Sequence, residues 1–192
     1  MEIKNISKAY DGRPVLQNLN IRIAEGMITC IMAPSGTGKT TLLRILMGLE
    51  KADSGSVAGL EGRRLSVVFQ EERLCADLTA VENIMLVTPQ LKPQTVRQEL
   101  ERLGLGENST QPVSELSGGM RRRVSILRAL LAEYDVLFLD EPFKGLDAAL
   151  KERVMAYVME KTMGKTVIFV THDRQEALAL GAGIIELRNC QK

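Results

Sequence analysis

Ala33-Pro34-Ser35-Gly36-Thr37-Gly38-Lys39-Thr40-Thr41 is the stretch that decides the fold. It follows an apolar run at 27–32 and precedes a helix-forming one at 42–49. That is the strand–loop–helix setting of a phosphate-binding P-loop. Small residues let the backbone curl so that consecutive N–H groups point inward at a phosphate. The helix that follows adds the partial positive charge of its N-terminus. In this reading Lys39 reaches the β- and γ-phosphates, and the Thr40 hydroxyl ligates Mg²⁺. Ala33 stands where the motif has glycine. Alanine tolerates positive φ poorly, so ordinary backbone is expected there.

Working outward, the chain alternates strands and helices. Leu19, Ile21 and Ile23 alternate with polar residues, as in a half-buried strand. Glu25-Gly26 reads as a turn, and 65–69 as another short strand. The character changes after Gln70. Thr79-Ala80-Val81-Glu82 has capping-box spacing, and Val96, Leu100 and Leu103 recur at helical spacing. Residues 71–115 therefore read as a helical insert. A further helix at 120–133 carries Val124, Leu127, Leu130 and Leu131 on one face. Strand character returns at 135–139 and 166–170. Asp147 is placed to cap the helix between them, whose apolar face is Leu150, Val154, Tyr157 and Val158. A last helix carries Ala177 and Leu178, and 184–187 reads as a final strand. The expected fold is α/β with a mostly parallel sheet.

Ligands of such sheets sit at the carboxyl ends of the strands. Three segments deliver polar residues there: the P-loop, Asp140-Glu141 after Leu139, and His172 after Val170. An apolar strand ending in aspartate suits Mg²⁺, with Asp140 as its holder. Glu141, one residue on, is placed to polarise the water that attacks a γ-phosphate. Leu116-Ser117-Gly118-Gly119-Met120 puts two adjacent glycines just ahead of an amphipathic helix, a second anion-binding N-terminus.

With the P-loop upstream and Asp140-Glu141-Pro142 downstream, that second loop resembles the signature loop of ATP-binding cassette (ABC) ATPases. The resemblance covers essentially the whole chain. It implies a P-loop NTPase core at 1–70 and 128–192, with antiparallel strands near the N-terminus. It implies a helical subdomain at 71–127, so that 1–192 is a single ABC ATPase domain. By the same resemblance Tyr10 stacks on adenine, and 33–41 (Ala33, Pro34, Ser35, Gly36, Thr37, Gly38, Lys39, Thr40 and Thr41) cradles the phosphates of ATP. Gln70 contacts Mg²⁺ and the attacking water, alongside Thr40 and Asp140 as metal-site residues. Glu141, His172 and Gln70 take the catalytic roles. Ser117, Gly118 and Gly119 bind the γ-phosphate of a second subunit's ATP, and Asp147 belongs to the neighbouring D-loop. Met120 and Lys144 depart from the family's usual Gln and Ser; neither removes a group needed for hydrolysis.

One chain has one P-loop and one signature loop. The resemblance therefore implies a homodimer, or pairing with a similar cassette, across two ATPs. It further implies transmembrane permease subunits and, in a full system, an extracytoplasmic substrate-binding protein. Peripheral attachment to the cytoplasmic face of the membrane follows. Segments 69–74, 116–120 and 143–147 are similar to importers of the nitrate, sulfonate and taurine type. A soluble ABC ATPase acting on ribosomes or DNA is the competing class. Ribosomal members usually carry two cassettes per chain, and DNA-repair members a long coiled coil. A P-loop kinase or GTPase leaves the signature loop unexplained.

Bulk properties are ordinary for a soluble globular protein. The 192 residues are 45% hydrophobic and 26% charged, with a net charge of +1. No global field draws such a chain to nucleic acid or a lipid surface, so Arg121-Arg122-Arg123 is expected to be a solvated helix face. No apolar run approaches the roughly 20 residues that span a bilayer. Cys30, Cys75 and Cys190 lack metal-ligand spacing, and Cys30 reads as a small core residue.

Overall fold

The computed structural model describes residues 1–34 and 36–187; Ser35 and Cys190 lie outside the described residues. Among the described residues, eight strands divide into two sheets. One is antiparallel, in the order β2 (Arg13–Arg22), β1 (Glu2–Tyr10), β4 (Ser54–Ala58). The other is parallel throughout, in the order β5 (Leu65–Val68), β6 (Val136–Asp140), β7 (Thr166–Thr171), β3 (Ile28–Met32), β8 (Gly183–Glu186).

The parallel sheet is covered on both faces, so its central strands read as continuous apolar runs. Along β6 and β7 the side chains still alternate between two cores. Val136, Phe138, Ile168 and Val170 face α1 (Lys39–Leu46) and the inner face of the antiparallel sheet, with Ile3, Ile6 and Ile21. Leu137, Leu139, Val167 and Phe169 face the helices on the other side. Those are α2 (Ala80–Met85), α3 (Pro93–Arg102), α4 (Gly118–Leu131) and α5 (Ala148–Lys161). Helix α6 (Arg174–Ala179) follows β7. Phe143 meets Phe169 edge-on, with centroids 5.9 Å apart.

Local chemistry sets the helix ends as the sequence suggests. Thr79 and Glu82 form the full capping box of α2. Asp147 caps α5 by accepting from the Leu150 N–H at 2.9 Å. Val96, Leu100 and Leu103 are fully buried.

Other readings are corrected. The strands β1 and β4 carry no clean alternation in sequence. β1 is broken by register shifts, and β4 is mostly exposed. Gly55 in β4 has φ +90°, and a Cβ there would fall 2.4 Å from the Lys4 carbonyl oxygen, so only glycine allows this pairing. On α6, Ala177 is buried and Leu178 is exposed. Among the described residues, no helix is long and apolar enough to cross a membrane.

Cys30 is fully buried in β3, and burial pushes its thiol from about 9 up to about 12. Burial likewise raises the hydroxyls of Tyr134 and Tyr157. Each group holds its proton more tightly folded than unfolded. Their contribution is therefore intact below about pH 9 and is lost as pH climbs toward about 12. The urea midpoint is expected to fall between about pH 8 and about pH 10.5; a midpoint constant over that range would contradict this account.

Candidate nucleotide site

The P-loop connects the end of β3 to α1 at the carboxyl edge of the parallel sheet. Gly38 is the N-cap of α1, at φ 84°. A Cβ on it would lie 2.7 Å from Val15 Cγ1, so both conformation and space require glycine. A glycine cap leaves the first turn of α1 without a side-chain acceptor, and that turn opens on a cavity. The Thr37 hydroxyl bonds back to the Pro34 carbonyl and closes the loop. Ala33 has ordinary backbone dihedrals, as expected for a residue with a Cβ at that position.

Lys39 is 7% exposed, and its ammonium donates to the carbonyls of Ala33 at 2.7 Å and Pro34 at 2.9 Å. Among the described residues no carboxylate lies within ion-pair distance of it. A positive charge neutralised only by carbonyl dipoles suits an anionic ligand.

The cavity, about 420 Å³, is lined by Gly36, Gly38, Lys39, Thr40 and Thr41, together with Tyr10, Gln70, Glu141 and His172. Residues as far apart in sequence as Tyr10 and His172 thus meet around one space. Tyr10 is 41% exposed at the rim, with the Lys8 ammonium 5.3 Å from its ring centroid. The Thr40 hydroxyl donates to Asp140 Oδ2 at 3.1 Å. Asp140 is 5% exposed, and burial raises its pKa, a shift partly opposed by the Thr40 bond. A hydroxyl beside an under-solvated carboxylate is a hard oxygen pair that fits Mg²⁺ completed by phosphate and water oxygens.

Glu141 follows with φ 46°, a left-handed conformation that costs a non-glycine residue roughly 1–2 kcal/mol. Its N–H donates to the Val170 carbonyl at 2.9 Å. Its carboxylate lies 3.4 Å from His172 Nδ1 and 3.6 Å from Lys144 Nζ. The kink after β6 thus turns Glu141 toward the end of β7. On that side Asp173 caps α6, and Thr171 Oγ1 donates to Glu176 at 2.7 Å.

Ser117, Gly118, Gly119 and Asp147 do not line this cavity. Ser117 is the N-cap of α4 and accepts from the Met120 N–H at 3.3 Å. Gly118 and Gly119 are the first residues of that helix rather than a loop ahead of it. Ser117 and Gly118 are exposed, and Gly119 is half-buried.

Val15 and Lys144 also line the cavity, and sequence reasoning did not place them there. Val15 had no sequence signal, since one valine of a poorly alternating strand is indistinguishable from another. Lys144 was visible as a departure from the family pattern, but its approach to Glu141 depends on the turn after β6.

The basic triplet is not a solvated face. Arg122 is 3% exposed. Arg121 donates to the Leu116 carbonyl, and Arg123 to those of Gly119, Leu103 and Gly104. Near-zero net charge says nothing of where a guanidinium finds acceptors. Here loop carbonyls, which no sequence pattern reveals, surround α4.

A family model for ABC transporters matches residues 16–144. The chain belongs to the ABC transporter family. It is 38% identical to a spermidine/putrescine import ATP-binding protein of Fusobacterium nucleatum, over 94% of this chain and 52% of that one. It is also 38% identical to a taurine import ATP-binding protein of Pseudomonas aeruginosa, over 90% of this chain and 71% of that one. The chain spans about half the length of the first of these relatives. Two solved structures of the ABC cassette MJ0796 superpose with TM-scores of 0.82 and 0.81 at 30% identity, covering 98% of this chain and 94% of theirs. Both are dimers, and one is a post-hydrolysis state bound to ADP and Pi. The fold of this ABC chain is therefore the cassette fold, with its α/β core, antiparallel sheet and helices on the far face.

Proposed function

We propose that the chain is the ATP-binding and ATP-hydrolysing subunit of a membrane transporter, with import favoured. The observation that carries this reading is the convergence of Lys39, Thr40, Gln70, Glu141 and His172 on one cavity under a P-loop, with Asp140 bonded to Thr40 behind it.

In this reading adenine stacks on Tyr10, and the backbone of 33–41 wraps the phosphates. Lys39 turns from the Ala33 and Pro34 carbonyls to the β- and γ-phosphates. Thr40 and Asp140 would hold Mg²⁺, with Gln70 lining the same cavity. Mg²⁺, when bound, neutralises charge building on the phosphate oxygens. Glu141 accepts a proton from the attacking water, whose oxygen bonds to the γ-phosphorus as the bridging bond to ADP breaks. His172 donates to the γ-phosphate and is oriented by Glu141. Ser117, Gly118, Gly119 and Asp147 serve the ATP of a second cassette, so two copies close over two nucleotides. Closure is a population shift, driven by the better binding of ATP in the closed pair.

The chain functions as one domain, 1–192, with 71–127 as its helical subdomain. Between that subdomain and the edge strand β5 lies a groove lined by Phe69, Val87, Pro89 and Arg128. Leu86 is 57% exposed beside it. A permease segment seats there, and the chain sits peripherally on the cytoplasmic face of the membrane.

A pull-down from solubilised membranes with tagged Glu141→Gln and ATP tests this reading. Recovery of a multi-span membrane protein is the expected result. Ribosomal proteins or nucleic acid without a membrane protein would move the chain to the soluble ABC class.

A further inference from the structure

Arg122 stands five residues past Ser117 on α4 and is almost fully buried. A guanidinium has five N–H donors in a rigid fork. Here Nε donates to the Pro142 carbonyl at 2.8 Å. One terminal nitrogen donates to the carbonyls of Phe69 and Gln70, and the other to those of Asp140 and Glu141. Five donors therefore meet five carbonyls, and among the described residues no carboxylate lies within ion-pair distance of this side chain.

The five acceptors belong to two segments only. Phe69 and Gln70 follow β5, and Asp140, Glu141 and Pro142 end or follow β6. These strands are parallel neighbours in the sheet. They deliver Gln70 and Glu141 to the cavity. Glu141 is held in its left-handed backbone from both sides, by Val170 at its N–H and by Arg122 at its carbonyl. A strained backbone persists only where its surroundings over-determine it.

We propose that Arg122 is a positioning residue for hydrolysis: it locks Glu141 and Gln70 into one rigid unit with α4, the helix that begins at Ser117. Through that unit the loop serving a second cassette moves with the groups that attack the γ-phosphate. The inference rests on the nucleotide-site reading above. It adds a group that does not line the cavity.

The test compares Arg122→Met, which removes all five donors, with Arg122→Gln, which keeps two N–H donors on a planar head. Both are made in the full chain. For Arg122→Met, kcat is expected to fall about 10- to 100-fold, with KM and the affinity for a fluorescent ATP analogue within about threefold of wild type. Arg122→Gln is expected to recover most of the lost kcat. Hydrogen exchange should quicken in peptides covering 69–73 and 140–145 and stay unchanged over the P-loop. This last readout does not depend on ATP hydrolysis, so it separates failure of the proposal from failure of the nucleotide reading. Wild-type kcat and unchanged exchange in Arg122→Met would overturn the proposal. So would kcat and affinity falling together with no recovery by glutamine. Should Arg122→Met not fold, Arg122→Lys replaces it, keeping charge without the fork. Wild-type kcat and exchange in that variant overturn the proposal equally.

Discussion

Glu141→Gln is expected to bind ATP normally, to accumulate as an ATP-bound dimer and to hydrolyse about 100- to 1,000-fold more slowly than wild type. The amide fills the same space and cannot take a proton. The backbone features that place Glu141, its φ of 46° and its N–H bond to Val170, do not involve the carboxylate. The site therefore keeps its shape while losing its base. Only the side-chain approaches to His172 and Lys144 change, and both partners are well exposed, so stability should hardly move. Single-turnover hydrolysis and size-exclusion chromatography with ATP check the two halves of this expectation. Hydrolysis at the wild-type rate would refute the base assignment.

Lys39→Ala is expected to weaken ATP binding about 100-fold or more, roughly 3 kcal/mol, because a phosphate pair loses a charge-assisted donor. The same change frees the carbonyls of Ala33 and Pro34, which Lys39 holds. Two effects then act in one direction: a lost charge in the complex and a looser loop before it. Titration with a fluorescent ATP analogue separates this from an unfolded chain, provided the thermal transition is recorded alongside. Unchanged affinity would sink the P-loop role of Lys39. The two variants also divide the site cleanly. Lys39→Ala strikes binding, Glu141→Gln strikes the chemical step, and Arg122→Met strikes the geometry between them.

How much of this was legible in advance follows from the range of the interactions. The P-loop, the helix caps at Thr79 and Asp147, and the apolar strands β6 and β7 were readable because their causes are local. A cap needs an acceptor three residues from a free N–H, and a buried strand needs a run of apolar side chains. Their order along the chain then placed Lys39, Asp140, Glu141 and His172 at one sheet edge before any coordinate was known.

The strands β1 and β4 were not legible, because register shifts break the alternation in one and the other is mostly exposed. Their pairing is set by neighbours up to about fifty residues away, with Gly55 admitting a carbonyl that any side chain would repel. Arg122 shows the same limit more sharply. As a letter in a basic triplet it looks like solvent-facing charge. Its partners are main-chain carbonyls at the ends of two strands, and main-chain acceptors carry no sequence signature. The approach of Lys144 to Glu141 likewise depends on one left-handed residue.

The sequence by itself determined the P-loop, the helix caps, the apolar central strands and the residues with chemistry to offer, since each rests on residue type and short spacing. Only the tertiary structure decided which of those residues share a cavity and which remain outside it, as Ser117, Gly118 and Gly119 do. It also decided that a buried guanidinium joins Gln70 to Glu141. The physical reason is that long-range contacts are settled by sheet order and backbone conformation, which no spacing along the chain encodes.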